Sequence, residues 1–258
     1  MTIQILVSTM FQKDYSLLEK MNIGTDTVVV NQCDENSVKR FEYKSHSVTW
    51  INSDARGVGR SRNTAILACS ADILLFADDD VVYDDGAPQK VLSYFESNKK
   101  ASLAVFNLPS LNPERPEPLS DKPYKLRYWN CLKFGAFRIA VKRESIINKN
   151  IFYSLLFGGG AEHMAGEDNL FITDCIKSGL DCFASDMRIG TVAQEQSTWF
   201  TGYDDKYYFD RGALFSAMYG RLAKPMLTIF ELKKTNGDIF KRLKIEFAGA
   251  KEFSGKSK

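Results

Sequence analysis

The feature that most constrains this fold is an alternation running through its first 110 residues. Short β-branched runs, "IQILVS" (Ile3–Ser8), "DTVVVN" (Asp26–Asn31), "HSVTWI" (His46–Ile51), "DILLFA" (Asp72–Ala77) and "SLAVFN" (Ser102–Asn107), alternate with segments of helical character. Near-continuous apolar strands separated by helices predict an α/β protein, a mostly parallel sheet covered on both faces. The intervening helices are expected over Asp14–Met21, capped by Asp14, over Val58–Ala71, and after an Asp85 cap with Pro88 in the first turn.

In such sheets ligands collect beyond the carboxyl ends of the strands. Thr9 follows the first strand, Asn31, Gln32, Cys33 and Asp34 end the second, and Asp78, Asp79 and Asp80 end the strand "DILLFA". One crevice could gather all three groups. Three successive carboxylates are costly, since like charges ~4 Å apart repel by about 4 kcal/mol at an effective dielectric near 20. Water, a neighbouring cation or a metal must offset that cost. Hard carboxylate oxygens suit Mg²⁺ or Mn²⁺, which take one or two protein carboxylates and complete their shell from water and phosphate. An ordinary acidic turn paired with an arginine is the plainer alternative.

"ARGVGRSRNTAI" (Ala55–Ile66) sets Arg56, Arg60 and Arg62 beside glycines around a helix start, where guanidinium forks and backbone N–H groups favour phosphate. Balancing Asp78–Asp80, or facing water, would explain them equally. Asn63 is a poor helix-interior residue unless its side chain has a role. A second acidic group, Glu167 and Asp168 in "AGEDNLF", stands at another helix start, where the dipole favours it. There a carboxylate could serve as general base toward a hydroxyl, or merely cap the helix. The preceding "FGGGAE" can bring backbone close to a bound sugar, or form a plain turn.

Other chemistries find little support. His46 and His163 are the only histidines, which excludes a histidine-rich zinc site and disfavours a Ser–His–Asp triad. "RGVGRS" lacks the strand-then-GxGxxG context of a dinucleotide site. A net charge of +2 argues against a dedicated nucleic-acid binder. The five cysteines are scattered, odd in number and without CxxC spacing, as in a reduced, cytosolic protein. No apolar run approaches the length of a membrane span, and the N-terminus reads as a strand rather than a signal peptide.

Five of the seven prolines fall between Pro109 and Pro123, marking a loop. Beyond it, Leu132–Glu144 has the alternation of a strand, Leu155–Leu180 is a glycine-rich loop feeding a helix that Gly179 ends, and Asp181–Val192 suggests one or two short strands. From Arg221 onward ten Lys or Arg residues face four Asp or Glu. That excess fits a solvated helical surface or contact with anionic lipid, with Leu214, Phe215, Met218, Met226, Leu227, Ile229 and Phe230 as its apolar face.

The order of "GRSRNTAILACSADILLFADDDVVY" and then "FGGGAEHMAGEDNLFITDCIKSGL" resembles a family 2 glycosyltransferase of the GT-A fold, over about Ile3 to Trp199. The resemblance implies an inverting enzyme, cytoplasmic or peripheral at the inner face of the membrane. It would move a sugar from a nucleotide-diphosphate donor, by default a UDP-sugar, to a glycan or lipid-linked acceptor in surface-polysaccharide synthesis, assisted by Mn²⁺ or Mg²⁺. Asp78-x-Asp80 matches the DxD motif, with Asp80 the direct metal ligand and Asp78, beside Asp79, nearer the ribose. Asp168 matches the base of the "ED" motif, supported by Glu167. Ser8, Thr9, Asp34 and Arg62 fall where the nucleotide is held, with Asn31, Gln32, Arg60 and Asn63 alongside. Gly158, Gly159, Gly160, His163 and Trp199 fall on the acceptor side. "NQCDENS" replaces the family's usual Asp-Asp-Gly-Ser-like turn, and "AQEQSTWF" offers Gln194, Glu195 or Gln196 where some relatives carry a metal-binding histidine.

The same resemblance divides the chain into a nucleotide-sugar half (1–110), an acceptor and catalytic-base half of the same domain (111–200) and a helical basic C-terminal extension (201–258). A nucleotidyltransferase on a related sheet, or a non-catalytic glycan- or cation-binding module, are the alternatives.

Overall fold

The computed structural model describes residues 1–194, 202–233 and 238–256. In chain order the elements are β1 (Ile3–Met10), α1 (Leu17–Lys20), β2 (Thr27–Gln32), β3 (Ser37–Tyr43), β4 (His46–Ser53), α2 (Val58–Ala68), β5 (Ile73–Asp78), β6 (Val81–Tyr83), α3 (Ala87–Ser97) and β7 (Leu103–Asn107). There follow β8 (Tyr124–Lys125), β9 (Ile139–Lys142), α4 (Arg143–Ile147), α5 (Glu167–Lys177), β10 (Cys182–Arg188), β11 (Gly190–Val192), α6 (Asp205–Tyr219), α7 (Ala223–Leu232) and α8 (Ile239–Lys256).

Nine strands form one sheet in the order β3-β4-β2-β1-β5-β9-β7-β10-β8, while β6 and β11 pair separately. The block β4-β2-β1-β5 is parallel. β9 runs antiparallel between β5 and β7. Strand alternation divides the core between the two faces. Ile3, Ile5 and Val7 of β1 pack with Val91 and Phe95 of α3, whereas Leu6 turns to the face holding Ala65 and Ile66 of α2 and Phe171, Ile172 and Cys175 of α5.

Several local expectations shift. α1 is a single turn, because Asp14 spends its Oδ1 on the Ser16 N–H (2.9 Å) and hydroxyl, forming a turn ahead of the helix instead of capping a longer one. Gly86, at φ 71°, holds the N-cap position of α3, and Asp85 instead accepts from Asn22 Nδ2 at 3.0 Å. Of the strand expected over Leu132–Glu144 only Ile139–Lys142 is extended; a 3₁₀ turn at Ala136–Arg138 precedes it and α4 follows. The aspartate-bearing strand is the fifth and not the fourth, because the charged strand β3 precedes it.

The C-terminal helices close on the domain through α5. Leu170 of α5 shares a cluster with Ala213, Leu214 and Met218 of α6. α6 and α8 cross at Gly212 and Gly249, where a Cβ would stand 2.0 Å from the Glu246 carbonyl oxygen and 2.1 Å from that of Phe209. Arg211 is buried there between Glu231 and Glu246, and Arg242 also pairs with Glu231.

Candidate active site

The parallel register aligns the carboxyl ends of the central strands: Ser8 stands beside Asp78, Thr9 beside Asn31 and Asn31 beside Asn52. β5 stops at Asp78, so its three carboxylates emerge where apolar burial ends. Asp79 accepts the Thr9 hydroxyl at 2.5 Å, and Gln12 Nε2 donates to the same hydroxyl at 2.9 Å. Asp80 accepts the Gln194 N–H at 3.0 Å. Burial raises the Asp80 carboxyl above its usual range, and the Asp78 and Asp79 charges add to the rise.

Arg62 is the centre of the arrangement. It projects from the first turns of α2 with only 4% of its side chain exposed. One nitrogen meets Asp78 Oδ1 at 3.0 Å, the other meets Glu167 Oε1 at 3.0 Å and Asp168 Oδ1 at 2.7 Å. Its guanidinium lies 5.1 Å from the ring centre of buried Tyr153. Two acidic motifs ninety residues apart in sequence therefore meet on one cation.

Asp168 also accepts the Ala136 N–H through Oδ2 at 2.9 Å, which is what the 3₁₀ turn supplies. Burial drives its carboxyl up to about 8; Arg62 opposes the rise, and Glu167 and Asp78 reinforce it. The glycine loop completes the wall. Gly158 has φ 104° and a Cβ there would lie 2.7 Å from the Glu167 carboxyl carbon, so no side chain fits. Gly159 accepts the Val58 N–H at 2.9 Å, tying the loop to the start of α2. A pocket of about 420 Å³ opens here, lined by Lys133, Gly135, Gly159, Gly166, Asp168 and Asn169 among others.

The other residues singled out from sequence fall into three places. Ser8 is bound to Ser61 of α2 at 3.0 Å, joining that helix to β1 beneath the crevice. Asn31 Oδ1 accepts the Gln12 N–H, Gln32 Oε1 accepts the Gly57 N–H, and Asp34 pairs at the rim with Arg56 at 2.6 Å. Asn63 makes two bonds to the Tyr153 backbone, which is the role its helical position called for, and Arg60 is exposed. Gly160 is exposed at φ 81°.

His163 is buried, stacked on Phe157 and bonded through Nδ1 to Asp210 at 3.0 Å. It borders a different cavity of about 700 Å³, between the Glu162–His163 loop, α6 and α8. The Gln194 side chain donates to Glu117 at 2.5 Å. Trp199, Glu195 and Gln196 lie outside the described residues.

Sequence reasoning passed over Ala136, Tyr153 and Arg138. The last is wholly buried and binds the Phe106 and Pro118 carbonyls, Asn107 and Glu117, anchoring the proline-rich loop. An arginine in an apolar strand-like run was the available signal.

Residues 15–154 match the family described as Glycosyl transferase family 2, more than half of the chain. The chain belongs to glycosyl transferase family 2. Its fold is shared with TarS of S. aureus. The crystal structure of TarS 1-349 in complex with UDP-GlcNAc superposes with a TM-score of 0.66 at 11% identity, covering 100% of this chain and 91% of that one. TarS 1-349 in complex with UDP gives 0.63 at 13%, covering 89% and 70%. The longer TarS structure gives 0.64 at 10%, covering 99% and 55%. A search of curated protein sequences finds no match. The family 2 architecture is thus the GT-A fold expected from sequence: mostly parallel central strands, flanking helices and a C-terminal helical set.

Proposed function

We propose that this family 2 protein transfers a sugar, with inversion, from a nucleoside diphosphate donor, a UDP-sugar, to a hydroxyl of a glycan or lipid-linked acceptor in surface-polysaccharide synthesis. The observation that carries the reading is the convergence of Asp78 and Asp168 on Arg62, at 3.0 and 2.7 Å. Two carboxylates on either side of one guanidinium, beside a pocket of about 420 Å³, support reading Asp78 as a donor-side acid and Asp168 as a base. The relatives of like fold bind UDP-GlcNAc and UDP, which favours a uridine nucleotide donor here.

Asp168 takes the proton of the acceptor hydroxyl as its oxygen attacks the anomeric carbon, and the bond to the diphosphate breaks. The Arg62 and Ala136 bonds fix the carboxylate while leaving lone pairs on both oxygens for that hydroxyl. Glu167 shares Arg62 and holds the guanidinium against the base.

The acidic tip also suits a divalent ion. Asp78 and Asp80 are hard oxygen donors, and their adjacent charges would be relieved by a cation bound between them. Among the described residues no group of three or more His, Cys, Asp or Glu could hold a metal alone, so these two would share an ion with the donor's phosphates. Mn²⁺ or Mg²⁺ bound there would stabilise charge on the leaving diphosphate.

A thermal-shift series of nucleotide sugars with Mn²⁺ tests the donor, because a ligand selective for the folded state raises its melting temperature. A shift for UDP-sugars that needs Mn²⁺ and is lost in Asp80→Ala is expected. No shift with any nucleotide sugar would remove the reading.

A further inference from the structure

The structure redraws the apolar face of the C-terminal helices. Leu214, Phe215, Met218 and Leu227, which the sequence offered for that apolar face, are buried within the helical set. What is exposed is a different stripe. Leu222 (64% exposed), Ile229 (50%) and Leu232 (67%), with exposed Pro225 and half-buried Met226, recur at i, i+3, i+4, i+7 and i+10 along the outer side of α7. Phe240, at the start of α8, is 86% exposed. α7 packs inward through Ala223 and Leu227 on Phe215 and Ala250, with Met226 at the edge of that cluster, and Leu222, Ile229 and Leu232 stay exposed among the described residues.

The exposed charge along α7 is one-sided. Arg221, Lys224 and Lys233 are exposed beside the stripe, whereas Lys241 of α8 faces Asp205 at 3.6 Å. The one acid of α7, Glu231, is wholly buried against Arg211 and Arg242, and Asp238 is spent capping α8 through the Lys241 N–H at 3.0 Å. Turning its acid inward leaves α7 an outer face of apolar and cationic groups. A second copy of this chain would have to cover those cations with acids that the same face lacks. A lipid leaflet with anionic headgroups supplies both the apolar layer and the negative charge. We propose that α7 and the start of α8 dock the protein peripherally on an anionic lipid surface. No helix of the described residues is long and apolar enough to cross a membrane, which makes this a surface attachment.

Flotation of the full chain with phosphatidylcholine vesicles, pure or containing about one-third phosphatidylglycerol, tests it. The protein should float with the anionic vesicles, stay behind with pure phosphatidylcholine, and be released by salt. Ile229→Glu with Leu232→Glu should cut the bound fraction more than about tenfold, and Lys224→Gln or Lys233→Gln about fivefold each. All four side chains are exposed, so the melting temperature and its response to UDP-sugar should stay as in the parent. Should the double variant fail to fold, Ile229→Ser and the salt titration of the parent carry the test. Absence of flotation, or flotation indifferent to these substitutions, overturns the proposal. So does a dimer in light scattering that the Glu variants disperse without any vesicle binding, which would assign the face to a second copy.

Discussion

Replacing Arg62 with methionine isolates the electrostatics of the site. Methionine keeps much of the arginine stem's volume and can still pack on the Tyr153 ring, so the change removes chiefly the charge. Three carboxylates then lose their shared cation: Asp78, with 36% of its side chain exposed, Asp168 with 19% and Glu167 with 11%. Removing one partner of a buried pair costs about 3–5 kcal/mol, because a charge is left without compensation. Water reaches Asp78, which pulls the expectation toward the lower end, about 3 kcal/mol at pH 8.

The sign with pH follows from the carboxyls. Asp168 already sits high, at about 8, through burial; without Arg62, which opposes that rise, it goes higher. A group whose folded value exceeds its unfolded value stabilises the fold at low pH and loses that contribution as pH climbs toward the folded value. The Arg62→Met penalty should therefore be level well below pH 8, where Asp168 is protonated in both folded proteins, and grow above pH 8, where only the parent ionises it, by up to about 1.4 kcal/mol per pH unit for that carboxyl. Urea unfolding followed by circular dichroism at pH 6.5, 8 and 9.5 reads this directly. A penalty below about 1 kcal/mol at pH 8, or one that does not rise between pH 8 and 9.5, would refute the view that Arg62 neutralises these acids.

Asp168→Asn should leave the donor-induced thermal shift in place and lower transfer by about 10²–10⁴-fold, measured as nucleoside diphosphate released with acceptor present. Transfer by the parent should fall about tenfold per pH unit below the raised Asp168 value near 8 and level off above it, since only the ionised carboxylate accepts a proton; a flat profile from pH 6 to 9 would reassign the base. Gly158→Ala should cost about 1–3 kcal/mol of stability in urea, as its Cβ meets the Glu167 carboxyl and its φ of 104° disfavours any side chain. Gly212→Ala should cost a similar amount by pushing α6 from α8, where the added carbon would lie 2.0 Å from a carbonyl oxygen, and a melting temperature within a degree or so of the parent's would mean that the helices part freely.

The parallel core was legible because apolar, β-branched runs such as Thr27–Asn31 leave few alternatives to a strand buried on both faces. β3 was not, for two physical reasons. It is an edge strand whose Lys39, Arg40 and Glu42 are exposed or solvent-facing, so no apolar period marks it, and charge is how such edges avoid pairing. Its turn into β4 uses Lys44 and Ser45, both at positive φ (48° and 64°), where the readable signal would have been Asn-Gly. At the site, the acidic pairs could be read from the chain, but their meeting on Arg62 could not. That depends on β9 entering antiparallel between β5 and β7 and on the turn that brings the Ala136 N–H to Asp168, and neither leaves a periodic trace.

Arg62 also explains why α2 carries its polar residues where it does. Ser61 joins β1, Asn63 pairs with the Tyr153 backbone, and the Val58 N–H is spent on Gly159, so the helix is fixed at three points around a single buried guanidinium. Held that way, Arg62 has little freedom to follow a misplaced carboxylate, and the end of β5 and the start of α5 must both come to it. The cation thus fixes the spacing between the two acidic motifs. A shift of α5 along the sheet would strand a charge, so the separation of the two acidic motifs is enforced by the same burial that raises Asp168.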